Sequence, residues 1–122
     1  MKKDIADRWV AALRSGEYRQ TTEALRNCKG FCCLGVLVDI YLDTSPDATV
    51  KQRETWTEGE FWVPHAGGYY ENAVLPSIVR EWAGMKFSDG ALGEGKYLTA
   101  MNDTGMSFSE IADVIEDRWE DL

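Results

Sequence analysis

Apolar residues recur at helical spacing near both ends of the chain. In "DIADRWVAALRSG" Ile5, Trp9 and Leu13 fall at i, i+4 and i+8, with Ala6 and Val10 beside them. Gly16 stands where a left-handed C′ residue would close that helix. In "SFSEIADVIEDRWEDL" Ile111, Val114, Ile115 and Trp119 make one apolar stripe, and Asp113, Glu116, Asp117, Glu120 and Asp121 fill the rest. Ser107 with Glu110 three residues on is a capping box, so an amphipathic C-terminal helix is placed at about 108–121.

The middle of the chain has other periods. "CCLGVLVDIYL" is apolar on every face, interrupted only by Gly35 and Asp39, the pattern of a central buried helix at about 32–42. A strand is the alternative, because a short valine-rich run is ambiguous by period alone. "EYRQTTEALRNCKGF" reads as loop with one short strand, and "KFSDGALGEGK" as a glycine-rich loop. Residues 43–60, polar and holding Pro46, read as a surface loop or insertion. "FWVPHAGGYYENAVLP" alternates aromatic and β-branched residues around Ala66-Gly67-Gly68, predicting a β-hairpin at about 60–74. Pro76 and Gly84 bracket a short helix, and "YLTAMNDTG" gives about two helical turns closed by Gly105. The expectation is a small single α+β domain over 1–122, mainly helical with one hairpin.

Composition narrows the class. A chain of 122 residues with 44% hydrophobic content and five tryptophans is long enough to bury one core. No apolar run approaches the roughly 18 residues of a membrane span, and charges interrupt the N-terminus where a secretory signal would be apolar. A cytoplasmic location is expected, where thiols stay reduced. The net charge of −8 is unevenly spread, from +3 over residues 1–30 to −6 over 31–105 and −5 over 106–122. Such a surface repels the phosphate backbone of nucleic acid and attracts a basic protein surface.

All three cysteines lie within Cys28–Cys33. Cys28 and Cys32 have the spacing of one zinc pair with His65 a third ligand, but the second pair is missing. Cys33 would point about 100° around a helix from Cys32. No metal or other cofactor is therefore expected. A cysteine opening a helix is also where a thiolate is favoured. That layout resembles papain-like cell-wall endopeptidases, which implies Cys32 or Cys33 as nucleophile, His65 as base and Asn72 as the polar third member. The neighbours Phe31 and Leu34 depart from that family's acid before the cysteine and small polar residue after it. Free cysteine also packs as a small hydrophobe, and core packing is the reading preferred here. "GALGEGK" lacks the strand–loop–helix context of a phosphate loop, and the chain past "MSFSEIADVI" is acidic where a DNA-recognition helix would follow.

Two surfaces are candidates for binding. Trp56, Phe61, Trp62, Tyr69 and Tyr70 concentrate aromatic side chains of the kind found at hot spots and ligand pockets. Glu116, Asp117 and Glu120 form an acidic face on the last helix.

"RWVAALRSGEYRQ", "FCCLGVLVDIY", "LPSIVREWAG" and "YLTAMNDTGMSFSEIADVIE" together resemble a family of small bacteriophage and prophage accessory proteins. The resemblance covers most of the chain outside about residues 44–70. It implies a protein of the bacterial cytosol that acts by binding, inhibiting or modulating a host or anti-phage defence protein, or sequestering a nucleotide signal. Direct contact with nucleic acid or membrane is not expected. The alternatives are the cysteine hydrolase and a regulatory module that homodimerises through an apolar patch.

Overall fold

The computed structural model describes residues 1–57 and 73–122. The first helix, α1 (Lys3–Arg14), buries the five residues its periodicity marks, Ile5, Ala6, Trp9, Val10 and Leu13. Gly16 follows in the left-handed conformation with φ 76°. A tight hairpin comes next, β1 (Arg26–Asn27) paired with β2 (Gly30–Phe31), where a loop with one strand was expected. Asn27 shapes its turn by accepting from the Lys29 amide at 2.9 Å, an Asx turn that polarity alone does not announce.

The central helix, α2 (Cys33–Thr44), buries nine of its twelve residues and carries the core, as the all-round apolar pattern predicts. Trp9, fully buried on α1, donates its indole N–H to the Cys33 carbonyl at 2.8 Å and so sets α1 against the start of α2. Gly35 is required by packing. A Cβ there would lie 1.7 Å from the Leu25 carbonyl oxygen, which also accepts from the Cys32 amide at 3.1 Å.

Part of the stretch expected as surface loop, 43–60, is helical. α2 runs on to Thr44, and α3 (Val50–Thr57) follows a Thr49 cap whose hydroxyl accepts from the Gln52 amide. Its polar sequence hides one buried anchor, Trp56. The predicted hairpin at 60–74 lies almost entirely outside the described residues.

α4 (Ser77–Ala83) starts after Pro76 and ends at left-handed Gly84, as the Pro and Gly positions predict. The glycine-rich loop expected at 86–96 instead contains β3 (Ala91–Gly93) paired antiparallel with β4 (Lys96–Tyr97). Glu94 and Gly95 have φ 57° and 72°, the two positive values that a two-residue type I′ turn needs. α5 (Leu98–Asp103) and α6 (Phe108–Arg118) complete the chain. The capping box of Ser107 and Glu110 is present, and the helix ends at Arg118, short of the expected 121.

The result is a small α+β domain with six helices and two short antiparallel strand pairs among the described residues. Its most extensive helix pair is α1 with α6, where Ile111, Ala112 and Ile115 are fully buried. None of the described helices is long and apolar enough to cross a membrane.

Candidate functional site

Three groups of side chains carry chemistry, two of them set by α2 and the third by the packing of α6 on α1. At its N-terminus Cys32 is the N-cap, with Sγ accepting from the Gly35 amide at 3.4 Å. Free helix amides favour a thiolate, yet burial dominates here. The Cys32 thiol is pushed up to about 11 by desolvation, with the Gly35 and Leu34 amides only partly offsetting it. Cys33 is fully buried and raised well above the usual thiol value for the same reason. Both are protonated core groups at neutral pH. Cys28, on the β1–β2 turn, is exposed. The other members of the hydrolase constellation, His65 and Asn72, lie outside the described residues.

The amides at the start of α2 are met by a residue far along the chain. Asn102, 1% exposed, accepts from the Cys33 amide at 3.1 Å and from Gln20 Nε2 at 2.9 Å through Oδ1. Its Nδ2 donates to the Thr21 carbonyl at 2.8 Å. Asp103 beside it accepts from the amide of Glu23, a residue held at φ 65°. A single buried amide thus joins α5, α2 and the 20–23 segment. Every strong hydrogen-bonding atom of that side chain is used, which makes it a structural junction.

The second group sits where α3 crosses α2. Asp39, the lone acid in the apolar helix, accepts from Tyr18 Oη at 2.6 Å and from Trp56 Nε1 at 2.9 Å. Burial and the Asp39 carboxylate together push the Tyr18 phenol up. Phe31 packs edge-on against Tyr18 at 5.1 Å, and its ring centre lies 6.1 Å from that of Trp56. The Arg26 guanidinium lies over both rings, 4.9 Å from Phe31 and 5.5 Å from Trp56, and donates to the Trp56 carbonyl at 2.6 Å. Trp56, expected among the binding aromatics, is 4% exposed and serves as the anchor of α3. Its indole is large enough that burying it against Phe31 and Asp39 satisfies both its ring and its N–H. Phe61, Trp62, Tyr69 and Tyr70 lie outside the described residues.

The third group is the outer face of α6. Asp113, Glu116 and Asp117 fall at i, i+3 and i+4 on its exposed side, and Glu120 follows, also exposed, in the turn just past the helix end. Arg14 reaches across from α1 to Asp113 at 2.6 Å and Glu116 at 2.5 Å. These hydrogen bonds raise its pKa, Asp113 contributing most. With Asp117 they line a shallow recess of about 260 Å³. Asp117 and Glu120 have no ion pair among the described residues, so the structure brings the predicted acidic residues to one face and leaves part of their charge open.

Sequence reasoning missed Asn102, Arg26 and Tyr18. Asp39 carried a visible signal, an acid interrupting an apolar run. Asn102 had a weaker one, a polar pair just before a glycine in a segment that is otherwise helical.

The family model described as Domain of unknown function (DUF8296) matches residues 1–119, and the chain belongs to that family. No curated protein and no solved structure matches it.

Proposed function

We propose that this protein acts by binding, docking the acidic face of α6 onto a basic surface of a partner protein. One observation carries the reading: an amphipathic helix whose apolar side is fixed on α1 turns Asp113, Glu116 and Asp117 outward, with Glu120 just past its end, in a segment of net charge −5. Complementary charge of this kind speeds encounter and selects partners more than it adds affinity. The protonated, buried state of Cys32 and Cys33 favours binding over nucleophilic catalysis. The resemblance to phage and prophage accessory proteins points to a bacterial host or anti-phage defence protein as the partner, met in the bacterial cytosol.

The test is capture from bacterial lysate with the full chain as bait, at 50 mM and 300 mM salt, beside the variant Glu116→Lys/Asp117→Lys/Glu120→Lys. A partner retained by the native protein at low salt, lost at high salt and lost by the variant supports the reading. Capture that ignores both salt and charge reversal refutes it. So does a lysate that yields nothing at low salt.

A further inference from the structure

We propose that Arg26 is the centre of an oxyanion site on the β1–β2 hairpin, taking a phosphate group through guanidinium donors that no described residue engages. A chain with 21 acidic residues has carboxylates for its arginines, and Arg14, Arg80 and Arg118 each have one within 4 Å. Arg26 has none among the described residues, and neither do Arg19 and Lys29. Asp39, the acid built into the same cluster, takes its hydrogen bonds from Tyr18 and Trp56 instead.

Arg26 and Lys29 lie on the β1–β2 hairpin, and the Arg19 backbone runs beside it. Arg26 is cross-strand from Phe31, and Lys29 sits at the exposed tip of the hairpin. Arg19 runs beside β2, its carbonyl accepting from the Phe31 amide at 2.8 Å. Gly30, at φ 149°, permits that approach: a Cβ there would stand 2.1 Å from the Arg19 oxygen. No acidic residue falls between Arg26 and Phe31, so the hairpin is locally cationic in an acidic protein.

Arg26 is also pre-organised. Two aromatic rings hold its guanidinium in place, and one of its five N–H groups is committed to the Trp56 carbonyl. A guanidinium held by stacking keeps its charge and its in-plane donors and loses little rotamer freedom on binding. A tetrahedral oxyanion matches that fork, with Lys29 supplying a second charge without fixed geometry.

The experiment is NMR on the full ¹⁵N-labelled chain. Phosphate is added at constant ionic strength with chloride as the compensating anion, following Arg26 Nε–Hε and the Lys29 and Gly30 amides. Saturable shifts at these groups, absent with chloride alone, are expected. Arg26→Lys keeps the charge and loses the fork, so its dissociation constant rises about tenfold. The Trp56 indole N–H resonance reports whether α3 stays docked in that variant. If it moves, Lys29→Ala, which disturbs no buried contact, is the deciding variant and weakens binding severalfold. Adenosine monophosphate in a parallel titration identifies the source: equal affinity means the phosphate alone is recognised, and tighter binding means a nucleotide. Shifts that stay linear, that match those with chloride, or that are unchanged in both variants overturn the proposal. Its failure leaves the acidic-face reading intact, since no partner protein enters the measurement.

Discussion

Gly35→Ala offers a test in which two known effects oppose each other. In an exposed helix interior, alanine is better than glycine by about 1 kcal/mol, and Gly35 has no left-handed φ that would penalise a side chain. The packing term has the other sign. The new Cβ would fall 1.7 Å from the Leu25 oxygen and 2.6 Å from the Leu25 carbonyl carbon, backbone atoms with no rotamer to change. Relief requires the 19–25 segment to move off α2. Overpacking of that kind costs about 3 kcal/mol at the upper end of its usual range. The same motion weakens the hydrogen bond from the Cys32 amide to the Leu25 carbonyl, about another 1 kcal/mol. The net expectation is a loss of about 3 kcal/mol. For a chain of 122 residues that corresponds to a drop of about 12 °C in Tm. Thermal and urea unfolding followed by circular dichroism measure it. A variant as stable as the native protein, or stabilised by the propensity term, would show that Leu25 does not sit against α2 as described.

Further consequences concern the buried polar groups and turns. Asn102→Ala strands the Cys33 amide and the Thr21 carbonyl and leaves Gln20 Nε2 only its bond to the Met106 carbonyl, and urea denaturation should show a loss of about 3 kcal/mol. Iodoacetamide should label exposed Cys28 within minutes at neutral pH and reach Cys32 and Cys33 only with denaturant, read by intact mass; fast labelling of either in the native state would revive the hydrolase reading. The Cys32 thiol ionises at about 11 when folded against 9.0 when free, so the unfolded state releases its proton first as pH rises. That contribution is constant below pH 9 and lost between about 9 and 11, and the buried Cys33 and Tyr18 act in the same direction; a urea midpoint that rises across this window would contradict the assignment. Glu94→Asn places a residue suited to the first position of a type I′ turn and should raise the unfolding free energy by on the order of 1 kcal/mol, read as a higher urea midpoint.

What could be read in advance follows from how each element is stabilised. α1, α2, α4 and α6 declare themselves through a repeated apolar face or paired end signals, and both are local in sequence. The β3–β4 hairpin was less visible because its strands are two and three residues long, too short for alternation to register, and its turn is opened by glutamate in a conformation that favours Asn or Gly. α3 was hidden for the opposite reason. Its sequence is polar, and it is helical because Trp56 finds Phe31 and Asp39, while Arg53 donates to the Leu42 carbonyl at 2.6 Å. Those are contacts across the fold, with no periodic trace.

The same distinction governs the candidate sites. The acidic stripe of α6 was legible because carboxylates at helical spacing need only the helix itself, although Glu120 falls just past its end. The Arg26 cluster was not, since it depends on residues 18, 26, 31, 39 and 56 meeting from the loop after α1, β1, β2, α2 and α3. Burial then decides what each group can do. Asp39 and Asp117 are both acids on helices, yet two partly enclosed hydrogen bonds from Tyr18 and Trp56 hold the first, while the second faces solvent without an ion pair among the described residues. A side chain already holding its neighbours must break those contacts to engage a ligand, whereas an exposed carboxylate sheds only water. This is why docking is proposed for α6, and why the phosphate proposal rests on the guanidinium edges of Arg26 that its described neighbours leave open.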